Sequence, residues 1–404
     1  MFFGKVRNTE YQCMTTKLNF IIISTADWDN PFWTNKQHVA KTLSNLGYNV
    51  VYFDSLGLRA PSKKSSRDLR RIINRLIQFF KGPRKINSHL TIFSPLVIPL
   101  HSNPMIASLN QLLMKLYLKF FEFRLGGRVI YWTYNPLSAD LLKGKDYIYH
   151  CVDDLTAAPG LPIEIIKYEE ENLIDHSLHT FVTSITLKKK FLGMGFAKKV
   201  TYFPNVIDRE HFSRAKLKLD KPADLHTLKQ PIIGFIGAVS SYKVDFELIV
   251  KLAKKFQDAS VVLIGQVGEG QPDTKIDILE GIPNIYLLGP KKYHELPEYL
   301  SYFDVALLPC VINDYTRSMF PMKFFEYLAA GKKVISTRLD SLLEFEQYCY
   351  LAENDADFIS KVEKVLIDPN FSQDDNIKIN TILNENTWEV RTKKMLKILS
   401  SEIN

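Results

Sequence analysis

Short apolar runs rich in Ile, Val and Phe alternate with helix-period segments from Asn19 to the C-terminus, and the whole alternation occurs twice. A strand buried on both faces is apolar without interruption, whereas a covering helix is apolar along one stripe, so this pattern belongs to parallel sheets sandwiched by helices. The first series predicts strands at Asn19–Thr25, Asn49–Asp54, Leu90–Ser94, Val129–Tyr134, Tyr147–Asp153, Thr180–Ser184 and Val200–Phe203. The second restarts at Pro231–Gly237 and continues through Ser260–Gly265, Asn284–Gly289, Asp304–Cys310, Lys333–Thr337 and Cys349–Leu351. Between them Pro204 to Gln230 is polar and charged, and reads as a connection between domains. The fold class is α/β, with two doubly wound sheets facing each other; 404 residues are too many for one ordinary core.

Composition removes several alternatives. With 46% apolar and 24% charged residues the chain is neither disordered nor collagen-like. Cys13, Cys151, Cys310 and Cys349 are widely spaced and match neither a disulfide framework nor a metal-ligand pattern, so a reducing, cytoplasmic setting is expected. No apolar run reaches the length of a membrane span, and the first residues lack the pattern of a signal peptide. The net charge of +8 is unevenly placed: residues 1–150 hold 21 basic and 8 acidic side chains, hence +13, which leaves −5 for residues 151–404. Arg59 to Lys85 holds ten basic residues and one acidic, Asp68, around an apolar stripe of Leu69, Ile72, Ile73, Leu76, Ile77 and Phe80. That density of cations fits attachment to an anionic membrane surface, extended by Met105–Leu125 with Lys115, Lys119 and Arg124. Nucleic acid is the rival partner, but no recognised binding module is present, so none is expected.

In doubly wound sheets ligands lie beyond the carboxyl ends of strands. Four such places in the second half fit a nucleotide. Gly234 to Lys243 is a glycine-containing turn ahead of a helix that Ser240 or Ser241 could cap; its alternative is a plain tight turn. Gly265 and Gly289 end strands where a nucleoside could lie against the backbone. Pro321 to Gly331 reads as a helix of three turns with Lys323 and Glu326 on one face. A first-turn lysine opposes the helix dipole unless it meets an anion, and the glutamate could accept hydrogen bonds from a ribose diol; a solvated ion pair is the alternative.

Pro321–Gly331, with Ser336-Thr337 beyond it, resembles the donor-site helix of GT-B glycosyltransferases, especially the GT4-like bacterial group of exopolysaccharide, capsule and teichuronic acid synthesis. Met322-Lys323 with Glu326 also resembles the xanthan-type glucuronosyltransferase site, and Pro204-Asn205-Val206-Ile207-Asp208 with Phe212 resembles the family's interdomain segment. The resemblance implies two Rossmann-like domains facing a cleft. An acceptor domain would span residues 1–207, a nucleotide-sugar domain 208–385, and a terminal helix 386–404 could cross back to the first domain. It implies that Glu326 holds the ribose and that Met322 and Lys323 hold the diphosphate. Gly237, Ala238, Ser240 and Lys243 would approach the phosphates, with Gly265 and Gly289 near the nucleoside and base. The family's second glutamate, eight positions before the ribose ligand, is here Ser318, which weighs against a retaining assignment.

Inverting transfer needs a base on the acceptor hydroxyl. Asp153 and Asp154 end a strand ahead of a small-residue loop, with Asp153 the first choice; the alternative is that one of them caps the turn. Asp27, Trp28, Asp29 and Trp33 follow the first strand and read as an acceptor loop, with tryptophans stacking on sugar rings, over the alternative of a turn capped by aspartates. His150 is expected to pack beneath the site, and His38 to be structural. The function implied is transfer from a UDP- or GDP-sugar to a lipid-linked or polysaccharide acceptor at the inner membrane face, needing no metal or organic cofactor. The alternatives are a GT-B-fold nucleotide-sugar epimerase and a non-catalytic nucleotide- or sugar-binding protein.

Overall fold

A computed structural model describes residues 18–55, 73, 76–98, 104–217, 219–271 and 273–403. Most of the basic segment Arg59–Lys85 therefore lies outside the described residues, as does Cys13.

The first sheet contains β1 (Leu18–Ile23), β2 (Asn49–Phe53), β3 (Arg84–Lys85), β4 (Leu90–Phe93), β5 (Arg128–Thr133), β6 (Tyr147–Cys151), β7 (His179–Val182) and β8 (Val200–Tyr202), in the order β3-β4-β2-β1-β5-β6-β7-β8. All its pairings are parallel except that of the two-residue edge strand β3. The second contains β9 (Ile232–Ile236), β10 (Ser260–Ile264), β11 (Ile285–Gly289), β12 (Val305–Leu308), β13 (Val334–Thr337) and β14 (Tyr350–Ala352), all parallel, in the order β11-β10-β9-β12-β13-β14. Strand order reverses beside β1 in the first sheet and beside β9 in the second. The loops leaving those two strands open the cleft between the domains.

Alternating side chains of each central strand serve opposite faces. In β1, Phe20 and Ile22 enter one cluster while Ile21 and Ile23 enter another. In β9, Ile232 and Ile236 pack on one side and Ile233 and Phe235 on the other. Each sheet thus has a core on both faces, which is why its strands read as unbroken apolar runs.

The chain crosses between domains twice. At the first crossing Ile207 N–H donates to the Asn386 carbonyl at 3.0 Å, and Trp388 N–H donates back to the Ile207 carbonyl at 3.3 Å. Beyond the second crossing the helix Trp388–Ile403 packs on the first domain, placing Trp388, Met395 and Leu399 in the same cluster as Phe20 and Val39. Arg391, fully covered, donates to the Pro204 carbonyl at 3.1 Å and to Asn35 Oδ1 at 2.8 Å, and lies 4.3 Å from the Trp388 ring centre. Residues 208–230, read from sequence as a connection, are instead a fold-bearing part of the second domain. Phe212, Ala215, Leu225 and Leu228 are buried in its core, spaced too irregularly for either helical or strand periodicity to show.

Candidate active site in the interdomain cleft

Asp153 stands just beyond β6, half-buried, and its Oδ1 accepts a hydrogen bond from the Tyr315 hydroxyl at 3.1 Å. Tyr315 belongs to the second domain, on the short helix Asp314–Arg317, where Asn313 Oδ1 caps the Thr316 N–H at 3.0 Å. A carboxylate of one domain thus touches a hydroxyl of the other across the cleft. Lys243, in the loop after β9, lies 5.1 Å from the Tyr315 ring centre and 5.2 Å from that of Tyr242. Burial works against its charge, but the Tyr315 and Tyr242 hydroxyls together with Asp153 and Glu269 outweigh this and hold Lys243 above the ordinary lysine value.

Asp154 has a different environment from its neighbour. It is 8% exposed, accepts from the Thr156 N–H at 3.1 Å, and pairs with Lys190 at 2.9 Å. Its carboxylate caps a turn of 3-10 helix and is committed to a salt bridge, so of the two candidate bases only Asp153 faces the cleft. His150 is fully buried under this strand end, accepting from Trp132 Nε1 at 3.3 Å, and burial pulls its pKa well below the usual imidazole range.

On the opposite wall, the helix expected to run three turns spans only Lys323–Ala329. Glu326 is 2% exposed and pairs with the Lys323 ammonium, whose side chain is itself largely covered. Burial raises the Glu326 pKa, opposed by Lys323. The alternative of a solvated surface pair is therefore excluded. Desolvating two charges is costly, so a buried pair of this kind is weak as a stabilising device and is well placed for function. Met322 reaches back to the first domain's cluster around Trp388 rather than lining an open phosphate site.

The loop after β9 differs from expectation in its capping. Ser240 is fully buried and donates to the Glu269 carbonyl at 2.6 Å, and Ser241 donates to Gln271 Oε1 at 3.0 Å. The helix begins later, at Phe246, and is capped by Asp245, which accepts from the Leu248 N–H at 2.9 Å. Its positive end is satisfied by its own carboxylate. Ala238 is half-buried beside Gly237, and Gly237 N–H donates to the Ile264 carbonyl at 2.9 Å. Gly265 N–H donates to the Gly289 carbonyl at 3.0 Å, so the three glycines sit side by side at adjacent strand ends.

The acceptor loop is corrected more heavily. Trp28 is 6% exposed in the first domain's core, with its ring centre 5.3 Å from Tyr52, and cannot stack on a sugar. Its backbone N–H donates to Asp54 Oδ1 at 2.7 Å. Asp29 points outward and pairs with Arg84 of β3 at 2.7 Å. Trp33 stacks on Tyr293 of the second domain, with ring centres 5.9 Å apart and planes at 24°. Tyr293 in turn stacks on His211 at 4.5 Å, and His38 stacks on Trp388 at 4.5 Å with planes at 6°. The aromatic residues read as a sugar platform are thus largely core and domain-joining material, while Asp27 is half-buried at the loop's start. Among the described residues no three His, Cys, Asp or Glu side chains are grouped to hold a metal ion.

Two cleft residues carried no signal used in the sequence reading. Tyr315 lies within an Asn313-x-x-Thr316 capping pattern in the segment after β12, beside the strand-order reversal, and that position could have marked it. Lys36, in the first turn of the helix Asn35–Asn45, looked like any helical lysine but is 8% exposed.

Residues 230–368 match the family described as "Glycosyl transferases group 1". A curated relative named for teichuronic acid biosynthesis, the glycosyltransferase TuaH of Bacillus subtilis (strain 168), is 30% identical over 251 residues, covering 57% of this chain and 61% of that protein's length. Sucrose-phosphate synthase from Thermosynechococcus elongatus superposes with a TM-score of 0.67 at 14% identity, over 95% of this chain and 98% of that one. Anabaena HepE in complex with UDP superposes with a TM-score of 0.65 at 13% identity, over 95% and 100%. The chain therefore has the GT-B fold, and residues 230–368, in its second domain, are similar to the group 1 glycosyl transferases.

Proposed function

We propose that this protein transfers a sugar from a nucleoside diphosphate sugar, UDP-linked in the first instance and GDP-linked as the alternative donor, to a lipid-linked or polysaccharide acceptor. The observation that carries the reading is the meeting of Asp153 from the first domain with Tyr315 and Lys243 of the second. In this mechanism Asp153 takes the proton from the acceptor hydroxyl as that oxygen attacks the anomeric carbon, and the bond to the departing diphosphate breaks. Lys243 stabilises the charge that builds on the leaving phosphate. Without donor, Lys323 and Glu326 satisfy each other; with donor, Glu326 accepts from the ribose diol and Lys323 turns to a phosphate. Attack by an Asp153-activated hydroxyl inverts the anomeric centre, and the anomeric configuration of the product, read by NMR, tests that step.

A nucleotide titration tests the reading as a whole. UDP is expected to raise the thermal midpoint more than GDP or CMP, and Glu326→Gln to weaken that response by at least about tenfold through loss of a charged acceptor. Indifference of the wild-type protein to all three nucleotides would sink the proposal.

We also propose that the enzyme works as a peripheral protein on the inner face of the cytoplasmic membrane. No described helix is long and apolar enough to cross a membrane. The helix Pro104–Leu125, however, has two apolar faces. Met114, Leu118 and Phe121 point into the core, while Met105, Leu109, Leu112, Leu116, Phe120 and Phe123 form an outward stripe at three- and four-residue steps. Phe123 is 89% exposed, and Lys115, Lys119 and Arg124 are exposed around it. Phe80, also exposed, follows Phe79, whose ring is 6.1 Å from Tyr117 on that helix, so the patch extends onto the end of the basic segment. The double substitution Met105→Glu/Phe123→Glu is expected to abolish sedimentation with vesicles containing phosphatidylglycerol without lowering nucleotide affinity. Full retention on those vesicles would refute the assignment.

A further inference from the structure

Lys36 is 8% exposed, yet among the described residues its ammonium has neither a hydrogen bond nor a salt bridge. The centre of the Tyr134 ring lies 5.7 Å from its ammonium. It projects from the first turn of an eleven-residue helix that follows β1, beside the reversal of strand order, over the ends of β5 and β6 where Tyr134 and Asp153 emerge. The titratable groups nearest to it are Asp153, Lys243, Cys151 and Glu269, which place it inside the cleft rather than on the outer surface. Burial lowers its pKa, so the folded protein bears a cost for keeping it charged.

Neither of the two donor-side lysines shares this state. Lys323 is paired with Glu326, and Lys243 sits between two tyrosine rings on the second domain. Lys36 is on the domain that carries Asp153, with the helix's positive end behind it. A cation held in a covered site, near the Asp153 carboxylate but hydrogen-bonded to no acidic group among the described residues, has its donors free for an anionic group of a substrate. We propose that Lys36 and the first turn of helix Asn35–Asn45 form a subsite for an oxyanion, a carboxylate or phosphate, on the acceptor. This inference rests on the transferase reading for the word acceptor, but its anion-binding content stands apart from it. In this arrangement the acceptor presents a hydroxyl to Asp153 while its anionic group anchors on Lys36, which makes the protein select charged acceptors over neutral ones.

The test uses the full chain, wild type and Lys36→Met, with Lys36→Gln as a second variant should the first fail to fold. Thermal midpoints are followed while sodium D-glucuronate, inorganic phosphate or neutral D-glucose is added at constant ionic strength, with and without saturating UDP. The wild type is expected to gain stability from glucuronate or phosphate and none from glucose. A response to glucuronate marks a uronate-bearing acceptor, and a response to phosphate a phosphorylated one. Both variants are expected to lose this gain, to bind UDP as before, and to melt a few degrees higher than wild type without added anion. Three results would overturn the proposal: equal anion responses in wild type and variants, a tenfold loss of UDP affinity that assigns Lys36 to the donor, or variants less stable than wild type with their anion response intact. Failure of the wild type to bind any nucleotide would instead count against the transferase reading, because the nucleotide-free arm still reports on the anion.

Discussion

Asp153→Asn is expected to lower the rate of sugar transfer by about 10²–10⁴-fold, the usual contribution of a positioned general base, with nucleotide affinity unchanged. Asparagine keeps the size of the side chain and leaves an oxygen to accept from Tyr315, whose hydroxyl is 3.1 Å from Asp153 Oδ1, so the domains stay in register while the proton acceptor is lost. The neighbouring Asp154→Asn serves as the contrast. It weakens a cap and a salt bridge to Lys190 at 2.9 Å, so its effect belongs in the melting temperature and not selectively in turnover. Steady-state kinetics with saturating donor separate the two. Unchanged turnover in Asp153→Asn would remove this residue from the mechanism.

The second large effect concerns two glycines that look alike in the sequence, each closing a strand of the second domain. At Gly265 a Cβ would lie 1.7 Å from the Gly237 carbonyl oxygen and 2.8 Å from its carbon, both backbone atoms that cannot rotate aside. Gly265→Ala must therefore prise apart the ends of β9 and β10, and its cost is expected to exceed the roughly 1–3 kcal/mol usual for overpacking. At Gly289 the backbone has φ +67°, and a Cβ would meet no atom within 4 Å. Gly289→Ala is left with the conformational penalty alone, about 1–2 kcal/mol. Urea unfolding of the two variants should show this order, and equal losses would mean that the close approach of Gly265 to Gly237 is absent in solution. The first substitution should also displace the loop carrying Lys243, since that loop hangs from the same strand end.

The strands were legible because a sheet covered on both faces leaves runs such as Leu18–Ile23 and Ile232–Ile236 almost wholly apolar. The edge strand Arg84–Lys85 was not, because two exposed basic residues pairing with β4 carry no periodicity at all. Lys323 and Glu326 could be singled out by their spacing, but that spacing is the same for a solvated pair and a buried one; only the packing of the second domain makes Glu326 inaccessible. Trp28 and Trp33 show the opposite failure. Aromatic residues in a polar loop resemble a sugar platform, and nothing local reveals that Tyr52 and Tyr293 have already taken their faces. Lys36 and Tyr315 were missed because their significance is relational. Each matters through a residue more than a hundred positions away, Asp153 in both cases.

Ile207 pairs with Thr387, so the chain leaves the first domain and returns to it at one seam. The second domain is an insertion, so the first domain is assembled from both ends of the chain. During synthesis from the N-terminus, every strand of the second sheet leaves the ribosome before the helix Trp388–Ile403 that covers Phe20, Val39 and Leu43. Until that helix arrives, the domain carrying Asp153 presents an open apolar face, whereas the domain carrying Lys243 and Glu326 already has its own complete sheet. A chain stopped near residue 386 would hold a finished second domain beside an unfinished partner prone to stick to its neighbours. The domain that emerges first is the one that closes last.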